Sequence, residues 1–567
     1  MRLLKNKVFV LLSFLFLSLP LIVGTFDTVN WSDDFNRPVL WGFKATFSPF
    51  WVMILSPSGQ HFLPVTNLFY YLITSLTLDP RSFHLVITLC YITTAFFVFL
   101  LVQRYYKDDL SAVLAGGLFA VNYYIGFKAL TWNTFHAHCT NTMTGVISLY
   151  CLICYLQDKK KRCLFGSCVA LFFTIFNTET GFLFFIALIV FVLFSFFKKH
   201  IQTKKAAQLI LVFSFVMALY PAWTYLRMGE PFPLSHRFES PRNVQNYLFN
   251  IQQLLVQSTG LTVFYNELFF DPLRTKPELK EPIVRLVKEN DNSALRDIPF
   301  KYILFFGFAG LLALASFIFI GRMALTNGLR EETWPFAVSY LLLFISYIFV
   351  YYRVDITNAL GVFSSVIMAD FIASFLRSRQ KVSKNTGIAL ISLFVIAASW
   401  TIIDQFEDCY QKSYTGITRA TIKGPHQIYD EINRKIGHYI DQGLLLFTHD
   451  YSPYHRTIGF ERIGDMIGMG DLICYNAVVF GKEFLKTSIP EEYRNKTTME
   501  FEEKLVGNPN NKIMVVNSEE DAINYLKVNQ VDLEKLDAVY MTKDYKIIYL
   551  NERLGSGRAP RLLRDKG

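Results

Sequence analysis

Residues 83–103 read FHLVITLCYITTAFFVFLLVQ and are closed by Arg104 and Lys107. The run contains no Asp, Glu, Lys or Arg. A helix rises about 1.5 Å per residue, so this run covers the roughly 30 Å of a bilayer's hydrocarbon core. Comparable apolar runs fall at 7–26, 109–127, 140–157, 163–178, 181–197, 206–226, 301–321, 335–352, 357–376 and 385–404. Buried helices of soluble proteins seldom carry runs of this length, and here they recur along the chain. The 567 residues are 52% hydrophobic and 16% aromatic, with a mean hydropathy of +0.29. Only 18% are charged, less than a soluble chain of this length carries. The reading is a mainly α, polytopic transmembrane helix bundle of about eleven spans, with the shorter runs tucked inside the bundle.

The formal charge of +10 suits nucleic acid less well than membrane topology, because the cations cluster between apolar runs. The clusters are Arg104/Lys107, Lys159 to Arg162, Lys198/Lys199/Lys204/Lys205, Arg322/Arg330 and Arg377/Arg379/Lys381/Lys384. Every second loop is basic, which places the N-terminus in the cytoplasm and the C-terminus outside the plasma (inner) membrane. The first run follows Arg2 and Lys5 as a signal peptide would. Leu-Pro-Leu-Ile-Val-Gly lacks a small-x-small cleavage site, so the run is read as an uncleaved span. Residues 27–82 then form one outer loop. Within it, the apolar stretch His61 to Leu78 is expected to lie at the outer interface, with Tyr70 and Tyr71 at headgroup depth.

The membrane-embedded part is read as 1–404, with outer loops 27–82 and 228–300. The second loop carries Pro231, Pro233, Pro241 and Pro272. Residues 405–567 read as a small extracytoplasmic α/β domain. It opens with a helical pattern over His426 to Ile440. Short β-like runs follow at Leu444 to Thr448, Ile513 to Val516, Ala538 to Met541 and Lys546 to Leu550. An amphipathic helix, Glu519 to Asn529, is opened by Ser518. Asn495-Lys496-Thr497 fits a glycosylation triplet, a pattern that chance also produces often. Of the eight Cys, most lie in or beside apolar runs; Cys151 and Cys154 sit mid-span, where thiols act as small apolar packers.

Ionisable groups at a membrane surface are costly and point to chemistry. Asp33 and Asp34 adjoin each other just after the first span, in Trp31-Ser32-Asp33-Asp34-Phe35. Adjacent carboxylates repel, so one should hold its proton more tightly, which suits a general base beside an orienting carboxylate. The competing reading is a solvated loop. Gln60-His61-Phe62-Leu63-Pro64-Val65-Thr66-Asn67 puts His61 and a helix-starting Pro at the head of the interfacial helix. Arg81 and His84 stand at the outer end of the second span. Trp132, Asn133, His136 and His138 fill the outer loop 128–139, and Glu179 lies in the tight turn Asn177-Thr178-Glu179-Thr180-Gly181. Arg353 and Asp355 occupy a further outer turn, where a local ion pair is the plain alternative. On this topology all these groups share one face of the membrane.

In order and spacing these elements resemble the GT-C superfamily of membrane glycosyltransferases, over roughly residues 1–400. The closest resemblance is to bacterial relatives of protein O-mannosyltransferases and lipid A aminoarabinose transferases. It is carried by Asp33-Asp34, by His61 to Asn67, by Phe83-His84-Leu85-Val86, by Trp132 and by Asn177 to Gly181. The chain departs from the pattern at His61, where Arg is usual, and at Thr178, where Lys is usual. The resemblance implies a lipid-linked donor, a sugar on polyprenyl phosphate, and an acceptor hydroxyl on protein, lipid or glycan. It implies that Asp33 acts as base and Asp34 orients. Arg353, His61 and Arg81 would meet the leaving phosphate, and Glu179 would orient a sugar hydroxyl or Arg353. His84, Trp132 and His136 complete the implied substrate-binding set. No metal-ligand spacing is evident, so neither a metal nor another obligatory cofactor is expected. The partners expected are membrane lipid and the lipid-linked sugar, with no nucleic acid.

Two other classes fit the composition. An O-antigen polymerase or ligase would use basic residues of a large outer loop, here Arg237 and Arg242. A transporter or scaffold would place ionisable groups mid-span and repeat one half in the other. Asp370, near the inner end of a span, is the main residue in that pattern.

Overall fold

The computed structural model describes residues 6–25, 49–55, 63–77, 80–122, 136–228, 285, 291–297, 330–348, 358–377, 384–389, 391–392, 443–448, 512–541 and 547–554. Its helices are α1 (Lys7–Thr25), α2 (Phe50–Ile54), α3 (Pro64–Leu76), α4 (Pro80–Tyr106), α5 (Asp109–Ala120), α6 (His136–Asp158), α7 (Lys161–Ile175), α8 (Phe182–Phe197), α9 (Thr203–Met228), α10 (Trp334–Ile348) and α11 (Asn358–Arg377). The chain forms two compact units. The first comprises Met1–Phe26, Ile54–Asn67 and His84–Phe406, and the second Asp27–Met53, Leu68–Phe83 and Glu407–Gly567.

Among the described residues, four helices are long and apolar enough to cross a membrane: Ser82–Tyr106, His138–Asp158, Thr203–Arg227 and Ala359–Arg377. Three others are apolar but shorter: Lys7–Leu19, Asp109–Ala120 and Phe182–Phe197. The runs expected at 301–321 and 385–404 lie wholly or mostly outside the described residues. The run expected over 109–127 stops being helical at Ala120, about 18 Å from its start. Its last carbonyls are satisfied inside the bundle: the Tyr91 hydroxyl donates to Phe119 O at 2.7 Å and approaches Asn122 O at 3.2 Å. The 13 residues of α3 cover about 20 Å, too little to cross a bilayer, and begin at Pro64 as the sequence suggests.

The core of the first unit is aromatic. Phe14, Phe99, Phe119, Phe184, Phe191 and Phe213 are fully buried. Phe14 packs edge-on against Phe99 with centroids 6.2 Å apart. α9 instead leaves Leu211, Phe215, Tyr225 and Leu226 exposed, a surface suited to hydrocarbon rather than water.

One end of this unit gathers the basic clusters. Three helices stop there with a left-handed lysine just beyond the last turn: Lys107 (φ 54°), Lys159 (φ 58°) and Lys199 (φ 57°). Gly is the usual residue there, so a lysine accepts backbone strain while placing its charge on a helix C-terminus. Charges also bridge the elements. Arg330 reaches Asp108 at 3.1 Å and Asp370 at 3.2 Å. Arg377 pairs with Asp108 and donates to Ser111 at 3.0 Å. Tyr106 donates to Thr333 at 2.8 Å, and Thr333 donates to the buried Asp370 at 2.7 Å. Arg104 pairs with Asp158, and Lys198 with Glu331 at 2.5 Å.

The second unit contains a four-stranded sheet in the order β2-β1-β3-β4. The strands are β1 (Leu444–Thr448), β2 (Lys512–Val515), β3 (Asp537–Met541) and β4 (Ile547–Tyr549). β1 runs parallel to β2 and β3, and β4 is antiparallel to β3. Central β1 reads LLLFT, the continuous apolar run of a strand covered on both faces. Helix α12 (Glu519–Val528) packs Ala522 and Leu526 against Leu445, Phe447 and Tyr540. Ser518 caps it, accepting from Asp521 N at 3.1 Å. A last short helix, α13 (Leu550–Arg553), follows β4. The helix expected over His426 to Ile440 lies outside the described residues.

Candidate functional site

The end of the helical unit away from the basic clusters is built on a hairpin. α6 and α7 run antiparallel, joined at Asp158 to Lys161. Ser148 and Ser167 hold their middles together: the Ser148 hydroxyl donates to Ser167 O at 2.8 Å, and the Ser167 hydroxyl to Ser148 O at 2.9 Å. Nearer the far end, Thr174 donates to Thr144 at 2.9 Å. α7 then ends at Ile175, and the chain turns through Asn177 and Thr178 into a 3-10 turn, Glu179–Gly181.

That turn is tied to two other elements. The Thr66 hydroxyl, in the first turn of α3, donates to Asn177 O at 2.7 Å and lies 2.8 Å from Asn177 Oδ1. Val65 N donates to Phe176 O at 3.2 Å, so both backbone and side chain of α3's start are docked on the turn. The Asn141 amide, on α6, donates to Thr180 Oγ1 at 2.8 Å. The hydroxyls of Thr178 and Thr180 lie 2.8 Å apart, and Thr180 N donates to Thr178 Oγ1 at 3.1 Å. Gly181 runs so close to the end of α7 that a Cβ there would sit 2.6 Å from Thr174 O. An alanine at 181 therefore forces the turn to move.

The side chains in these described contacts carry no charge. Thr66, Asn67, Asn141, Asn177 and Thr178 are all buried. Asn67 donates to Ile54 O at 3.0 Å. Asn141 Oδ1 is buried with no hydrogen-bond partner among the described residues. An unpaired buried acceptor costs about 1–3 kcal/mol.

The structure thus joins two stretches that the sequence singles out separately, His61 to Asn67 through Thr66 and Asn177 to Gly181 through Asn177. It adds Asn141, Thr144 and Thr174, which sequence reasoning missed. The signal was present as Thr140-Asn141-Thr142, a polar triplet in an otherwise apolar run. Glu179 opens the 3-10 turn, His136 is the first residue of α6, and Arg81 is the second residue of α4. His84 is buried in the second turn of α4. Asp33, Asp34, His61, Trp132, Arg353 and Asp355 lie outside the described residues. Among the described residues, no cluster of His, Cys, Asp or Glu has the arrangement of a metal site. Cys90, Cys139, Cys151, Cys154, Cys163 and Cys168 are free thiols.

No protein family and no curated protein sequence matches the chain. Among solved structures it is similar to an Archaeoglobus fulgidus oligosaccharyltransferase in its apo form. The TM-score is 0.42 and the sequence identity 12%, over 80% of this chain and 64% of that one. The chain therefore spans less than two thirds of the length of that protein.

Proposed function

We propose that the chain is an integral membrane glycosyltransferase of about eleven spans. It moves a sugar from a polyprenyl-phosphate donor to an acceptor hydroxyl at the extracytoplasmic face. The observation that carries the reading is the docking of Thr66 on Asn177. Two stretches that resemble GT-C motifs, more than a hundred residues apart, meet at one end of the bundle. That end is the one free of basic clusters, which the positive-inside rule puts outside.

In this reading Asp33 takes the proton from the acceptor hydroxyl as its oxygen attacks the anomeric carbon, and Asp34 orients it. The bond to the phosphate oxygen breaks as the new glycosidic bond forms, so a single displacement inverts the anomeric centre. Charge builds on the leaving phosphate. Arg353, His61 and Arg81 offset it, and Arg353 is best suited because its planar fork binds phosphate in two places. Glu179 orients a sugar hydroxyl or Arg353, while His84, Trp132 and His136 shape the substrate pocket. No metal is required for these steps.

The test is transfer from labelled polyprenyl-phosphate sugars by the purified protein in nanodiscs, with the anomeric configuration of the product read by NMR. Transfer with inversion supports the reading. Transfer only from nucleotide sugars, or from no donor, refutes it.

A further inference from the structure

We propose that Asn141 is a positioning residue for Glu179, acting through Thr180; the inference rests on the glycosyl transfer proposed above. Four residues of the turn Asn177–Gly181 are each fixed by a contact of their own. Asn177 is held by Thr66, Thr178 and Thr180 hold each other, and Gly181 is pressed against the end of α7. The fifth residue, Glu179, carries the turn's charge. Thr180, the next residue, is the turn's side-chain link to α6, through the Asn141 amide at 2.8 Å. Removing that donor loosens the turn at Thr180 while Thr66 still holds the N-terminal side. The backbone that carries Glu179 can then shift, and a shift of this kind near a reacting centre costs far more in turnover than in binding.

The unpaired Asn141 Oδ1 separates this role from a structural one. An unsatisfied buried acceptor costs stability, so stability alone does not favour asparagine there. Asn141→Ala removes the donor and the unpaired acceptor together, so the two effects on stability oppose each other. Thermal stability should change little while turnover falls.

The experiment is a double-mutant cycle on turnover and on the donor's KM, using the full-length protein in nanodiscs with polyprenyl-phosphate sugar donors. The variants are Asn141→Ala, Glu179→Ala and the pair, with Thr180→Val and Thr180→Ser as second probes. Asn141→Ala should lower kcat about 10–100-fold with KM nearly unchanged. Combined with Glu179→Ala it should cost no more than Glu179→Ala alone. Thr180→Val, similar in volume but without the hydroxyl, should behave like Asn141→Ala, and Thr180→Ser should restore activity. Additive losses in the cycle, or full activity in Thr180→Val, overturn the positioning role while leaving the transferase reading intact. Wild-type activity in Glu179→Ala overturns both that residue's role and the inference. If the wild-type protein transfers no sugar from these donors, the proposed function itself falls and the inference falls with it.

Discussion

The two ends of the helical unit hold their buried polar groups in different ways. At one end Asp108, Asp370, Arg330 and Arg377 form a charged knot, relayed through Thr333 and Tyr106. At the other, Thr66, Asn141, Asn177, Thr178 and Thr180 form a knot with no charge in the described contacts. Partly buried ion pairs return little net stability, because desolvation and solvent screening offset attraction, but they fix one arrangement of the elements they join. A neutral hydrogen-bonded cluster of low dielectric does something else: it holds backbone firmly and leaves any single charge beside it strongly felt. In the proposed function, the charged end serves architecture and the neutral one chemistry.

The largest effect that would sharpen this contrast belongs to the chemistry. Asp33→Asn should cut turnover about 10²- to 10⁴-fold, the range of general-base catalysis, with insertion and thermal stability unchanged. Asp34→Asn should be milder, since an amide can still orient. If Asp33→Asn keeps more than about a tenth of the activity, Asp33 is not the base. If Asp34→Asn is the inactive variant, the two roles are exchanged.

At the charged end the loss should be of stability. Asp370→Ala leaves Arg330 with Asp108 alone. The cost should be about 2–3 kcal/mol, below the 3–5 kcal/mol of a fully buried broken pair, because Arg330 is one-third exposed. Thermal aggregation in detergent measures it, and protein that stays folded should keep its turnover. Unchanged stability with lost transfer would reverse the assignment of the two ends.

Arg353→Ala should weaken donor use by about 1–3 kcal/mol, and Arg353→Lys by less, because lysine keeps the charge but loses the planar fork. Titration with the lipid-linked donor decides it; unchanged affinity in the Ala variant makes Arg353 a structural partner of Asp355.

The smallest effect concerns Asp291. Donation from Ser293 and then from Arg285 pushes the Asp291 carboxyl down to about 2. Its folded value lies below its unfolded one, so its contribution to the 3-10 turn Asn292–Arg296 is complete above about pH 4. That contribution is lost as pH falls toward 2. Amide exchange of residues 291–297 should quicken over that window and not above it.

Much of the second unit's fold was legible in the sequence. Leu444–Thr448 is the strand expected, and Ser518 caps the helix expected, because a short apolar run and a cap are local signals. Helix positions in the first unit were legible for the same reason, and the runs 83–103, 206–226 and 357–376 match α4, α9 and α11 closely, but not every helix end was legible. Apolar composition continues past Ala120, while that helix ends where Tyr91 takes over its polar groups. The candidate site was legible only as separate motifs. Asn141 and Thr180 are 39 residues apart, and only the packing of α6 against the turn after α7 brings them together. No periodicity carries that information.

In the proposed function the charged and neutral ends face opposite sides of the membrane, with chemistry outside. Single cysteines at Lys160 and at Asn495, in a background lacking the eight native cysteines, test it most directly. With an impermeant thiol reagent on intact cells, Asn495→Cys should label and Lys160→Cys should label only after permeabilisation. Labelling of both on intact cells, or of Lys160→Cys alone, would contradict the orientation and the site built on it.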